Sequence, residues 1–301
     1  MILGTRGSRL ALVQAEECAR ALRAAGIEVR VRIIKTTSEH HPDTPLAVID
    51  QRDVFTRQLD EALLSGEIDL AVHSLKDVPT EVPDGISLAA ITRRHDPSDV
   101  LVSDGRYTLD DLPRGAVVAT SSVRRRAQLL HHRPDLEIVG IRGNVDTRVK
   151  KMRDGVADAV VLARAGLERL GLEAPHTVIP PDIVLPAVGQ GALAVAMMRD
   201  HALLVPIRET LNHGRTERAI LAERAMLRAL EGGCRVPVGA RSAVQGSAVR
   251  LGGVVISPDG ALVFRGEVEG GEPEEVGERL AQELLEQGAA IVLGEIREVR
   301  R

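Results

Sequence analysis

Asp69-Leu-Ala-Val-His-Ser-Leu-Lys-Asp-Val-Pro79 is the stretch on which the fold turns. Its first half, 69–73, is the short apolar run of a buried strand, and Pro79 keeps the chain beyond it from continuing as a helix. Between them Ser74, Lys76 and Asp77 bring a hydroxyl, an ammonium and a carboxylate into four residues at the strand's C-terminal end. In open α/β sheets, ligands bind at that end. A neighbouring Lys–Asp pair is ordinarily a solvated ion pair of small energetic consequence. Placed here, an active site is an equally good reading.

Upstream, Ile2-Leu3 reads as a short strand that ends at Thr5-Arg6-Gly7-Ser8-Arg9. An amphipathic helix follows through Leu10, Val13, Ala21 and Leu22, and 29–34 alternates apolar and charged residues as a half-buried strand does. This is a β-α-β opening. Strand-to-helix turns in such sheets present backbone N–H groups and short side chains to anions. Arg6 and Ser8 sit on this turn, although from the turn alone a surface arginine beside a helix cap is the plainer reading. The loop 37–51 holds His40-His41-Pro42-Asp43, but no second ligand pair at zinc-site spacing follows, so no metal is expected. Asp53 reads as the cap of a helix with Leu59, Ala62 and Leu63 on one face. Phe55 at its start suits either core packing or a ring laid against a ligand.

Downstream, 86–91 is a further strand and 93–97 a polar linker. A second alternation then begins near Ser98, with strands over 100–102, 117–119, 137–141 and 159–162. Helices over 123–132, 145–152 and 164–170 fill between them, and this repeated order predicts a doubly wound parallel sheet. Two junctions carry similar chemistry. Thr120-Ser-Ser-Val-Arg-Arg-Arg126 puts three hydroxyls and three guanidiniums at a helix N-terminus, and Arg142-Gly-Asn-Val-Asp-Thr-Arg148 sets an arginine on each side of a Gly-Asn turn. The planar guanidinium fork matches carboxylates bidentately, and a helix N-terminus favours anions. Two such runs at equivalent topological positions point to a polyanionic small molecule.

Residues 177–179 read as a strand, and the glycines of Leu185-Pro-Ala-Val-Gly-Gln-Gly-Ala192 mark a tight crossing. A strand over 194–198, a helix over 203–211 and a strong helix over 216–230 lead to Leu230-Glu-Gly-Gly-Cys-Arg-Val-Pro-Val-Gly239. Glycines running into Cys234 suggest an accessible loop, and Arg235 could favour the nucleophilic thiolate, although a buried, inert cysteine is about as good a reading of these residues alone. Strands over 238–244, 249–256 and 262–268, a helix over 273–286 and a short strand near Ile291 make a separate α+β domain.

The 301 residues suffice for two or three domains, and 44% hydrophobic with 27% charged residues is ordinary globular composition. A net charge of -4 gives no sign of a polyanion-binding protein overall. The near absence of aromatic rings for stacking, which are confined to Phe55, Tyr107 and Phe264, speaks against a single-stranded nucleic-acid binder. Lysine occurs only at Lys35, Lys76, Lys150 and Lys151, so one inside a motif stands out. Cys18 and Cys234 are too few for a disulfide scaffold, and Cys18 falls in a periodic helix as a core residue. The N-terminal run is charged where a signal peptide is apolar. No stretch nears the roughly 18 uninterrupted apolar residues of a membrane span. The expectation is a soluble cytoplasmic protein that binds neither nucleic acid nor membrane.

Six runs in this order resemble the porphobilinogen deaminase (hydroxymethylbilane synthase) family over nearly the whole chain. They are Thr5-Arg-Gly-Ser8, Val72-His-Ser-Leu-Lys-Asp-Val-Pro79, Thr120-Ser-Ser-Val-Arg-Arg125, Arg142-Gly-Asn-Val-Asp-Thr-Arg148, Leu185-Pro-Ala-Val-Gly-Gln-Gly191 and Leu230-Glu-Gly-Gly-Cys234. The resemblance implies two domains like a type II periplasmic binding protein, 1–92 with 189–211 and 98–186. A smaller α+β domain, 215–301, carries the cofactor cysteine.

The resemblance also implies a monomer that joins four porphobilinogen molecules head to tail, each losing ammonia. They are built on a dipyrromethane cofactor held by a thioether at Cys234. Asp77 matches the catalytic aspartate, placed to stabilise positive charge near the pyrrole nitrogens. Ser74, Lys76, Asp77, Thr120, Ser122, Arg124, Arg125 and Arg148 match cofactor contacts. Arg6, Ser8, Phe55, Arg142, Arg148 and Arg169 match substrate contacts. Two stretches depart from the family pattern. Val48-Ile-Asp-Gln-Arg-Asp-Val54 replaces a glycine- and lysine-rich lead-in to the phenylalanine, and Thr37-Ser-Glu-His40 lacks the usual glycine-aspartate. A rival reading is a binding module that grips a carboxylated ligand without chemistry, since fold alone does not decide function. That rival has no use for Cys234 on a glycine loop.

Overall fold

The computed structural model describes residues 1–35, 56–230 and 236–298. In chain order the first elements are β1 (Ile2–Thr5), α1 (Arg9–Ala24), β2 (Arg30–Ile33), α2 (Arg57–Leu64), β3 (Leu70–Ser74) and β4 (Ile86–Ile91). Next come β5 (Asp99–Val102), β6 (Val117–Ala119), α3 (Val123–His132), β7 (Glu137–Val139), α4 (Val145–Arg153), β8 (Ala159–Ala163), α5 (Arg164–Leu170) and β9 (His176–Val178). The last are β10 (Leu193–Met198), α6 (Leu204–Leu211), α7 (Gly214–Ala229), β11 (Val238–Gln245), β12 (Ala248–Ile256), β13 (Val263–Gly270), α8 (Pro273–Leu284) and α9 (Ala290–Glu298). The chain forms two compact units, Met1–His95 with Gly191–Glu217, and Asp96–Gln190 with Arg218–Arg301.

The first unit is built on a sheet of order β2-β1-β3-β10-β4. Apart from the exposed edge strand β2, its strands are short and largely apolar, so they must be covered on both faces. On one face α1 and α6 bury Ala15, Cys18, Leu22 and Ile207 against Leu3, Leu70 and Val195. On the other, α2 sets Leu59, Ala62 and Leu63 over Ala71, Ile86 and Ala196. Cys18 is 1% exposed, the core thiol that its helical spacing implies. β1 pairs in parallel with β2 and β3, whereas β10 runs antiparallel to both β3 and β4.

The second unit holds a sheet of order β7-β6-β8-β5-β9 and, separately, an antiparallel sheet β11-β12-β13. In the larger sheet β6 pairs in parallel with β7 and β8, while β5 is antiparallel to β8 and β9. Both five-stranded sheets are therefore doubly wound but mixed, and for the second this corrects the parallel sheet that its β-α alternation predicts. β-α-β crossovers dictate parallel neighbours; β5 and β10 are not delivered by such a crossover, so nothing constrains them to that direction. In the three-stranded sheet Leu251 and Val255 pack under Leu280 and Leu284 of α8 and Met226 of α7. The reverse face of β12 gives Val254 and Ile256 to a small core with Ala127 of α3 and Leu185.

The short strand expected near Ile291 is instead helix α9. A run of β-branched residues suggested a strand, yet burial follows helical spacing: Ala289, Val292 and Leu293 are in the core and Ile291 is 58% exposed. Gly288, at φ 112, supplies the left-handed residue that separates α8 from α9.

Candidate active site

In the first unit the functional residues gather where β1 and β3 end. The two strands pair in parallel through Gly4↔Ala71, so the turn holding Arg6 and Ser8 and the turn holding Ser74, Lys76 and Asp77 leave the same sheet edge. Ser8 caps α1, its Oγ accepting from Ala11 N at 3.3 Å. Leu75–Asp77 forms one turn of 3-10 helix, with Val78 N donating to Leu75 O at 3.1 Å. Leu75 is buried, and its N–H donates to Ala192 O at 3.0 Å, which anchors the turn to the strand beside it. Lys76 and Asp77 are half-buried on this anchored turn. Gln14 of α1 holds the third polar group: its Nε2 donates to Ser74 Oγ at 2.9 Å, and Ser74 Oγ donates to Gln14 Oε1 at 3.2 Å. Behind them His73 is buried. Desolvation, with the Arg6 guanidinium second, pushes its imidazole down to about 4.

In the second unit β6 and β7 end side by side, and their turns carry the other cluster. Thr120 N donates to Val139 O at 2.8 Å, and Thr120 Oγ1 accepts from Ser122 N at 3.2 Å. Ser122 caps α3, its Oγ accepting from Arg125 N at 3.4 Å. On the β7 side Gly143 takes φ 112, a conformation that costs a side-chain-bearing residue. Arg148 Nε donates to Gly143 O at 2.8 Å and Lys151 Nζ to Arg142 O at 3.2 Å, so two cations brace the turn. Arg142 and Arg148 are half-buried at this edge. Arg169 belongs to the last turn of α5, away from that helix's start at the end of β8.

Arg124 and Arg125 turn inward. They are 5% and 6% exposed and share Asp99, which is 0% exposed. Arg124 reaches Asp99 Oδ2 at 2.7 Å and also donates to Leu185 O. Arg125 reaches Asp99 Oδ1 through Nε at 3.1 Å and Nη2 at 2.7 Å, and Val161 O through Nη1 at 3.0 Å. Gln190 Nε2 adds a bond to Asp99 Oδ1 at 2.9 Å. Burial pushes the Asp99 carboxyl up, but the two guanidiniums and these hydrogen bonds outweigh it and hold it well below the carboxylate range. Two cations against one carboxylate leave the first turn of α3 with a net positive interior.

Sequence reasoning did not single out Gln14, Asp99 or Ser121. The signal for Asp99 was present: a carboxylate directly ahead of Val100-Leu-Val102 is carried into the core and needs cationic partners there. Phe55 and Cys234 lie outside the described residues, as do Asp53 and the departures at 37–54. Among the described residues no cluster of His, Cys, Asp or Glu could hold a metal.

The fold and these edges define a doubly wound α/β protein whose strand-end turns carry clustered hydroxyls and guanidiniums. Residues 1–205 match the family model "Porphobilinogen deaminase, dipyromethane cofactor binding domain", and 218–286 match "Porphobilinogen deaminase, C-terminal domain". The chain belongs to the porphobilinogen deaminase family. A porphobilinogen deaminase of Rubrobacter xylanophilus is 68% identical over 300 residues, spanning 100% of this chain and 98% of the relative. One of Desulforudis audaxviator is 47% identical over 302 residues, spanning 99% and 98%. A periplasmic substrate-binding protein from Coxiella burnetii is similar with TM-score 0.43 and 17% identity, over 70% of this chain and 91% of its own.

Proposed function

We infer that the chain is a hydroxymethylbilane synthase, a transferase of porphyrin biosynthesis that condenses four porphobilinogen molecules with loss of ammonia and releases the linear tetrapyrrole by hydrolysis. The observation that carries this reading is the cofactor-domain match over residues 1–205 in a chain whose β3 ends in the Lys76–Asp77 turn. The binding-module alternative accounts for the arginines but leaves that match without a purpose.

The donor set suits dipyrromethane. Its acetate and propionate groups need hydroxyls and guanidiniums, and Thr120, Ser122 and Arg148 stand together at one sheet edge, with Arg142 beside them to meet substrate carboxylates. When bound through Cys234, dipyrromethane supplies the pyrrole carbon on which the chain is begun. Asp77 is the catalytic residue: its carboxylate stabilises the positive charge that develops on the substrate pyrrole as ammonia departs. Lys76 and Ser74 hold carboxylate groups beside it, Arg6 and Ser8 receive the incoming substrate, and Arg169 and Phe55 complete the substrate contacts. Arg124 and Arg125 act through the positive interior of α3, which favours anions at that helix's N-terminus.

The chain acts as a cytoplasmic monomer without nucleic-acid or membrane partners. It is organised as domains 1–92 with 189–211, 98–186 and 215–301. Among the described residues no helix is long and apolar enough to cross a membrane. The direct test is turnover of porphobilinogen by Asp77→Ala. Near-complete loss with an unchanged melting curve is expected, and wild-type turnover would remove the charge-stabilising role.

A further inference from the structure

The two anion-binding turns of the second unit are joined by a side chain. β6 and β7 are three residues each and pair only as far as Ala119↔Val139, so their ladder is short and its end is prone to fray. Beyond it the chains diverge, one toward Ser122 and one toward Arg142. Here the Ser121 hydroxyl takes the place of a peptide group. Its Oγ donates to Ile141 O at 2.7 Å and accepts from Ile141 N at 2.9 Å, so both polar backbone groups of one residue end on one hydroxyl.

Ile141 is 2% exposed and fixed in a core with Val149 and Met152, which makes the far end of this link rigid. The neighbouring hydroxyls do local work: Thr120 accepts within its own turn and Ser122 caps its own helix. Of these three, Ser121 is the one bonded across to the second turn, while its own residue is exposed at the surface.

We propose that Ser121 is a positioning residue that extends the β6–β7 ladder by one rung and sets Arg142 in register with Thr120 and Ser122. It touches no reacting atom. A hydroxyl suits this place because it is donor and acceptor at once, whereas alanine offers neither and leaves a buried N–H and C=O to find other partners. The proposal rests on the reading that Thr120 and Ser122 hold cofactor carboxylates while Arg142 meets those of the substrate.

The test compares cofactor-loaded wild type, Ser121→Ala, Ser121→Thr and Arg142→Gln, measuring kcat and KM for porphobilinogen together with melting temperature. Ser121→Ala is expected to raise KM about tenfold with kcat little changed, the scale of effect when a positioning contact is displaced by a fraction of an ångström. Ser121→Thr, which keeps the hydroxyl, is expected to restore most of that difference. A raised KM in Arg142→Gln with an unchanged KM in Ser121→Ala overturns the strut while leaving the site reading intact. So does a Ser121→Ala variant whose melting temperature falls while KM stays put, because a purely structural role would do that. An unchanged KM in both variants rejects the site reading and the strut with it.

Discussion

At the scale of single residues, two buried or half-buried carboxylates divide the work. Asp77 stands on an anchored turn, and its removal is expected to abolish turnover. Asp99 is structural in a different sense, since it neutralises one of two guanidiniums that have no water to fall back on. Asp99→Asn keeps the shape and removes the charge. It is expected to destabilise the second unit by about 3–5 kcal/mol, the range for breaking one side of a buried ion pair. Urea denaturation measures this, and a loss below about 1 kcal/mol would contradict a buried pairing.

His73 gives a pH dependence whose sign is fixed. Its folded pKa of about 4 lies below the unfolded value of 6.5. Between those values the unfolded chain binds a proton that the folded chain refuses. The contribution of neutral His73 is therefore complete above pH 6.5 and is lost as pH falls toward 4. The full loss is roughly 3 kcal/mol. Melting temperature followed from pH 7 downward should fall less steeply in His73→Gln than in wild type, and parallel curves would contradict a buried neutral imidazole.

At the scale of elements, what the sequence shows well is whatever repeats locally. The helix over 123–132, the strand 86–91 and the turns that follow β1, β3, β6 and β7 all follow from period, caps and glycine placement, because these depend on neighbours a few residues away. Strand direction in β5 and β10 does not, because it depends on partners far away along the chain. The inward turn of Arg124 and Arg125 was hidden for the same reason: their partner Asp99 is far off in sequence, and a helix N-terminus rich in arginine looks identical whether it faces solvent or a buried carboxylate. The segment of α9 reads as a strand on composition, yet burial at Ala289, Val292 and Leu293 follows the 3.6-residue period of a helix. Gly288 between α8 and α9 offers a test. Gly288→Ala places a side chain at φ 112 and is expected to cost about 1–2 kcal/mol of stability. A neutral effect in thermal unfolding would mean that the two helices are not separated there.

At the scale of the whole molecule, the family is fixed by matches that run the length of the chain, and the chemistry follows from where the charges are set. A protein of net charge -4 keeps cationic groups at the ends of its parallel strands, which suits a growing chain of acetate- and propionate-bearing pyrroles. The chain is expected to carry its own dipyrromethane at Cys234. The most direct measurement is the intact mass of the purified protein, before and after incubation with porphobilinogen, with mapping of the peptide that contains Cys234. The expected result is an excess equal to two linked pyrrole units on that peptide, absent in Cys234→Ala. An unmodified mass that porphobilinogen does not change, or the same adduct retained in Cys234→Ala, would contradict it.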